Sequence, residues 1–254
     1  MIIGTWQTKR VRTMPDPDAT KCWICRVNEA NTGEHMIKHS DLRAIFGKPR
    51  RNQRFYFSDL QRLNRDVQSL RSNMLKSPIL ICAYCNTART QPHDRAWEHM
   101  SHWLRNRRPA IRVRDFVRGD RIFCYDTKRK MGNVHLYFLK QLGGMILESQ
   151  GSVPIDVTPI ADSIMNNCVH PEVYLQFGRG DQTVGRLVKC LQLETGHVLA
   201  CLFYRIGALT VNVVFAQSGG DWEALPTTWH PRRGSNRFVI ADFRWGEPIG
   251  ATDA

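Results

Sequence analysis

Apolar positions fall into two rhythms along the chain, one of three-and-four in the first 150 residues and one of two in the last third. Leu60, Leu63, Val67, Leu70 and Met74 repeat at three and four behind a Ser58-x-x-Gln61 capping box, which predicts a helix from Ser58 to about Lys76. Arg62, Arg65 and Arg71 lie off that stripe, on a solvated face or a nucleic-acid surface. Asp41–Phe46 predicts a short helix capped by Ser40 and stopped by Gly47, followed by the basic loop Lys48–Asn52. Pro78 ends the long helix, and Ile79–Ile81 predicts a short buried strand. Ala96, Trp97, Met100 and Leu104 mark a helix that follows Asn86 and runs to about Arg105, with Pro92 as a point of interruption.

Beyond the basic hinge Arg105–Pro109 a further helix is predicted over Asn133–Leu147. Val184–Leu193, His197–Ile206 and Leu209–Phe215 are β-branched or alternating runs, joined by turns at Thr195-Gly196 and near Gly207. They predict an antiparallel meander, to which Phe238–Phe243 adds a strand after the loop Ser218–Asn236. The expected class is α+β, divided into an irregular arm over 1–20, a first domain over 21–108 and a C-terminal α+β domain with an antiparallel sheet over 109–254.

Charge sharpens this division. Of the net +13, residues 1–110 carry 20 Lys+Arg against 9 Asp+Glu (+11), and residues 111–254 carry 16 against 14 (+2). Fifteen of the twenty cations are Arg, which suits bidentate phosphate contact. A polyanion is therefore the expected partner of the first half, with Arg10, Arg12, Arg50, Arg51 and Arg54 as backbone-contact candidates. A basic but solvated face is the plainer alternative.

Eight cysteines in a chain of this size do not form a secreted disulfide scaffold, and four stand in pairs: Cys22-Trp23-Ile24-Cys25 and Cys82-Ala83-Tyr84-Cys85. Two such knuckles supply the four thiolates of a closed structural Zn²⁺ site. Closing the 56-residue loop between Cys25 and Cys82 costs only modest entropy beside the strength of zinc binding. Cys124, Cys168, Cys190 and Cys201 lack ligand spacing and are expected to be buried thiols. The opening Met1–Arg10 is too short an apolar run for a signal peptide and no stretch reaches a membrane span, so a soluble, cytoplasmic protein is expected.

Between the knuckles stands Gly33-Glu34-His35-Met36-Ile37, and Asn86 follows Cys85 directly. Taken together, these motifs resemble the HNH endonuclease family over roughly residues 20–105. The resemblance implies a zinc-pinned ββα-metal domain, here with a helical insertion. It also implies His35 as general base on the attacking water, and Glu34 and Asn86 as ligands of one catalytic divalent ion, Mg²⁺ or Mn²⁺. The family's middle Asn position falls on Ser77, with Asn73 nearby, a departure in the residue that orients His35 for which a hydroxyl or a backbone carbonyl could substitute.

His39 and His93 lie close to the motif in sequence, as additional site residues or as ordinary histidines. Asp94 is a ligand, a helix cap or a partner of Arg89. Trp97 and Trp103 are read as core, and His135, His170, His197 and His230 as scattered. The leading expectation is a metal-dependent endonuclease acting on double-stranded DNA, nucleoid-associated when bound, whose C-terminal domain directs it to a target or protein partner. The alternatives are a non-catalytic zinc-stabilised nucleic-acid-binding protein and an interaction module of a phage or defence system.

Overall fold

The computed structural model describes residues 20–47, 55–57, 65–192, 197–219, 227–233 and 236–243. Strand β1 (Thr32–His35) pairs antiparallel with β4 (Lys76–Ile81). Between them lie helix α1 (His39–Phe46) and the small hairpin of β2 (Phe55–Phe57) and β3 (Arg65–Val67). A π-helical turn at Cys85–Arg89 then leads into α2 (Gln91–Asn106). The C-terminal half adds β5 (Phe116–Arg118), α3 (Gly119–Ile122), α4 (Thr127–Glu148), α5 (Thr158–Met165), β6 (Val173–Gln192), β7 (Val198–Ala216) and β8 (Arg237–Asp242).

The fold is mixed α and β. Its larger sheet runs β5-β8-β6-β7, with β8 parallel to β6 and the other pairs antiparallel. The expected purely antiparallel sheet is thus a mixed one. The long connection from β7 returns the chain beside β6 in β6's own direction, an arrangement that run-by-run alternation does not reveal. The turn expected near Gly207 is not a turn, since β7 passes straight through it. Gly207 has φ 69°, a left-handed conformation that glycine adopts without strain, and stands at the register slip between Arg179 and Thr183.

The helix expected from Ser58 to Lys76 is replaced from Arg65 onward. Residues 58–64, including the capping box, lie outside the described residues. Arg65–Val67 is a strand, Asn73–Leu75 a single 3₁₀ turn, and Pro78 lies inside β4 rather than ending a helix. Val67 and Leu70 are buried, so the apolar stripe marked core positions but not their secondary structure. Pairing with Phe55–Phe57 decides the conformation there. In β4 the register slips, two steps of β1 facing four of β4, so Pro78's missing N–H falls in a bulge where no ladder bond is forfeited.

Helix α1 ends at Gly47 as expected, at φ 71°, but starts earlier, with Lys38 as the residue before it and Ser40 Oγ buried without a partner. Its Asp41 is fully buried and accepts from Trp97 Nε1 (2.8 Å), Ser101 Oγ (2.8 Å) and Arg105 Nη1 (2.7 Å), which rivets α1 to α2. Trp97 is core, as expected from its spacing, and stacks in a cluster with Tyr137, Phe138 and Tyr204 at centroid separations of 4.6–6.1 Å. Each such aromatic pair adds about 0.5–1.5 kcal/mol beyond its buried area. Residues on both sides of 108 share this one apolar cluster, which runs from Cys22 to Ile240.

Helix α4 is the centre of the molecule and packs against α2, α5, β4 and both strands of the long hairpin. Gly143 lets the first cysteine knuckle lie flat on it: a Cβ there would stand 2.4 Å from the Trp23 ring. No helix among the described residues is long and apolar enough to cross a membrane.

Candidate functional site

The two knuckles meet. The Sγ atoms of Cys22, Cys25, Cys82 and Cys85 all lie within 4.8 Å of one another, and Cys25 and Cys82 are 3.7 Å apart. Four sulfurs at tetrahedral Zn–S bond lengths stand about 3.8 Å apart, so the cluster has the size of a zinc site and the soft donors zinc prefers. Backbone geometry prepares it, with Cys85 N–H donating to Cys82 Sγ at 3.3 Å and Asn28 Nδ2 reaching the same sulfur at 3.7 Å. A hydrogen bond from Cys85 draws the Cys22 thiol below its usual range and holds Cys85 itself above it. The remaining cysteines do not behave alike: Cys201 is buried and Cys190 half-buried, but Cys124 and Cys168 are exposed, which corrects the expectation of four buried thiols. Both exposed ones follow or precede helix ends, where no apolar face claims the side chain.

Beside the knuckles, a small open cleft is lined by Trp23, Glu34, His35, Ser77, Lys140 and Arg186, among others. Strand β1 brings Glu34 and His35, the bulge of β4 brings Ser77, and α4 and β6 bring Lys140 and Arg186. Backbone of the His35 segment is braced from the other half as well, Lys38 N–H donating to Tyr204 Oη at 3.0 Å. The site is therefore built by both halves of the chain.

His35 Nε2 lies 3.1 Å from the carbonyl oxygen of Leu70. A carbonyl only accepts, so Nε2 carries the proton and the neutral ring keeps its lone pair on Nδ1. Burial draws the His35 pKa below its usual value, outweighing the help from Leu70, so the ring is neutral at neutral pH. The ring of His39 stands edge-on at 5.6 Å, and burial lowers its pKa too.

Glu34 has a different partner from the expected ion. Its Oε1 lies 2.5 Å from Lys140 Nζ, which also reaches Asp94 Oδ1 at 2.9 Å and Thr90 Oγ1 at 3.0 Å. Lys38 Nζ lies 3.6 Å from the same Asp94 oxygen. Burial alone would draw Lys140 down, but Glu34 and Asp94 outweigh it and hold the ammonium charged. Asp94 is thus neither a cap nor an Arg89 partner, and Arg89 donates instead to the Ile164 carbonyl.

Asn86 does not line the cleft; its Nδ2 donates to Thr32 Oγ1 at 3.2 Å. His93 points elsewhere, to Asn167 Oδ1 at 3.2 Å, with burial lowering it to about 4. Ser77 Oγ donates to Glu148, which also pairs with Arg186, so Ser77 does not orient His35. Arg186 is nearly buried, and its Nε has no partner. Arg10, Arg12, Arg50, Arg51 and Arg54 lie outside the described residues, while Arg65 and Arg71 are exposed.

Lys140 and Arg186 were not foreseen. The only signal for Lys140 was a charge inside an apolar helical run, Phe138-Leu139-Lys140-Gln141-Leu142, a position a lysine occupies only when paired. His135, His170 and His230, apart in sequence, also gather: the His135 and His230 rings are 5.4 Å apart and His230 Nε2 lies 2.9 Å from the His170 carbonyl.

The catalytic divalent ion expected from the resemblance fits this arrangement poorly. Its carboxylate is already neutralised by an ammonium, and Asn86 is turned to Thr32. Among the described residues, the four cysteines are the one group of three or more His, Cys, Asp or Glu side chains placed to hold a metal. Compared with known proteins, the chain matches no protein-family model, no curated protein and no solved structure.

Proposed function

We propose that the chain is an HNH-like endonuclease that hydrolyses phosphodiester bonds of DNA with His35 as general base. The observation that supports this reading is the His35–Leu70 contact, which leaves a neutral imidazole with its Nδ1 lone pair free in a cleft that also holds an arginine. Zinc on the four thiolates fixes the knuckles on either side of β1 and β4 and takes no part in the chemistry.

His35 Nδ1 takes a proton from water, the hydroxyl oxygen bonds to phosphorus, and the bond from phosphorus to the leaving oxygen breaks. The leaving oxygen gains a proton from solvent and His35 returns its own, so one water is consumed for each diester. The unpartnered Nε–H of Arg186 is suited to meet the charge that grows on the phosphate oxygens, because its desolvation cost is already met in the folded chain. No step is assigned to Mg²⁺ or Mn²⁺, since Glu34 is engaged by Lys140.

Double-stranded DNA is the favoured substrate because +11 of the net charge lies before residue 111, and phosphate binding needs no particular sequence. Free thiolates on the knuckles suit a reducing cytoplasm, with nucleoid association following from DNA binding. The test is nicking of a supercoiled plasmid by zinc-loaded wild type beside His35→Ala. Loss of nicking in the variant supports the assignment, and equal rates sink it.

A second reading, a non-catalytic zinc-stabilised nucleic-acid-binding protein, draws on a specific observation. Both expected metal ligands are engaged elsewhere, Glu34 by Lys140 and Asn86 by Thr32. On that reading wild type shifts plasmid on a gel without nicking it under any condition. A role for the C-terminal half in binding a protein partner is compatible with either reading.

A further inference from the structure

We infer that Lys140 is the resident cation of the Glu34–Asp94 carboxylate pair and keeps a divalent ion out of it. The ammonium has three donors, and the structure matches all three: Glu34 Oε1, Asp94 Oδ1 and Thr90 Oγ1. Its side chain is 2% exposed, so no water shell remains for it to fall back on, and it cannot leave without stranding the Glu34 carboxylate and leaving Asp94 with Lys38 alone.

Charge balance points the same way. Burial and the neighbouring Asp94 raise the Glu34 pKa against the pull of Lys140, yet with Oε1 2.5 Å from the ammonium Glu34 counts with Asp94 as a second negative charge, and Lys140 and Lys38 bring two positive ones. A divalent ion added to this neutral set would face an ammonium held on its own ligand. The preference of Mg²⁺ or Mn²⁺ for carboxylate oxygens at bonding distance is then opposed by repulsion in a poorly solvated place. Position 140 lies on α4, in the half of the chain that carries neither cysteine knuckle, so the second half supplies the charge that the first half's acidic residue lacks. The inference does not depend on cleavage, and it extends the proposed function by making any hydrolysis at His35 independent of a divalent ion.

The test is a Mn²⁺ titration of the zinc-loaded full chain, followed by the electron paramagnetic resonance signal of free Mn²⁺. Wild type is expected to take up no stoichiometric Mn²⁺ to millimolar concentration. Lys140→Met is expected to gain one site, tighter by at least roughly a thousandfold, since at about 4 Å and an effective dielectric near 20 a unit charge opposes another unit charge by that factor and opposes a divalent ion by more. Adding Glu34→Gln to that variant should abolish the new site. One equivalent of Mn²⁺ bound by wild type and absent in Glu34→Gln overturns the inference, as does a folded Lys140→Met chain that binds none. If Lys140→Met is too unstable to titrate, its melting temperature decides: a rise with Mn²⁺ that wild type does not share supports the inference, and no rise overturns it. Plasmid nicking is scored separately, so a chain inert toward DNA removes the nuclease reading without altering the outcome of the titration.

Discussion

The carbonyl oxygen of Leu70 stands 3.1 Å from His35 Nε2 and decides which nitrogen of that ring can act as a base. An enzyme that relies on this contact needs the imidazole in one tautomer, and a backbone carbonyl provides that without any side chain that a substitution could remove.

His35→Ala is therefore expected to lower the cleavage rate by about 10²–10⁴-fold, the usual weight of a positioned general base. Affinity for plasmid should change little, because the base acts on water in the transition state and not on ground-state phosphate. Added imidazole should restore part of the rate to the alanine variant and none to wild type. Single-turnover rates with and without imidazole check this, and a variant as fast as wild type removes His35 from the chemistry.

Arg186→Gln should impair cleavage at the level of the rate more than of substrate affinity, since a partnerless Nε–H in the cleft matters most when phosphate charge grows. Its other nitrogen holds Glu148, so Glu148→Gln is the control for altered packing. A rate loss in Arg186→Gln matched by Glu148→Gln would make the arginine's role structural.

Which parts of this site could be read from the sequence follows from distance along the chain. Cys22-x-x-Cys25 and Cys82-x-x-Cys85 declared themselves because thiolate spacing is local, and the structure brings them within 4.8 Å. The Leu60–Met74 stripe was equally local and, over Val67–Met74, gave the wrong element, since three-and-four spacing over so short a stretch does not distinguish a helix from a strand end followed by a turn. Glu34 stood out in the sequence beside His35, but its partner did not, because Lys140 lies on a helix with no sequence relation to β1. Leu70's part in holding His35 is played by its backbone, so the side chain written in the sequence carries no sign of it. The same blindness separated His135, His170 and His230.

Zinc removal should unfold more than the knuckles. Trp23 lies against Gly143 of α4, and the core is continuous from Cys22 to Ile240, so the knuckle and the central helix lose their packing together. Strong chelation is expected to lower the melting temperature of the whole chain in one transition, and Cys82→Ser to do the same without chelator. Elemental analysis should give one zinc per chain. A chain free of zinc with an unchanged melting temperature would refute the four-thiolate site.

Acid should destabilise the fold from about pH 6 downward. Burial lowers His135 to about 3, with its Nε2 on the Val173 carbonyl and its Nδ1 unpartnered, and lowers His93 to about 4. In the unfolded chain both titrate near 6.5, so below that pH the unfolded state binds more protons and stability falls as pH falls towards the folded values. Above 6.5 neither ring contributes a slope. Between about pH 6 and 5 each is expected to contribute about 1.4 kcal/mol per pH unit, and below that His135 alone keeps the full slope. Urea denaturation at several pH values checks this, and His135→Met should remove one proton from the slope. A stability flat from pH 7 to 4 would mean that the His135 ring reaches water in the folded chain.

DNA affinity should fall steeply as salt rises, because each phosphate neutralised by an arginine releases counterions. The charge that drives this lies in the first 110 residues, where 15 of 20 cations are Arg. Replacing Arg50, Arg51 and Arg54 by Ala should reduce the slope of log affinity against log salt by up to about 0.9 for each phosphate that is no longer neutralised, while leaving sequence preference unchanged. The exposed Arg65 and Arg71 offer a second set for the same measurement. If the triple variant keeps the full slope and Arg65→Ala/Arg71→Ala reduces it, DNA lies across the β2–β3 hairpin, and the path of the duplex towards His35 must be drawn from that side.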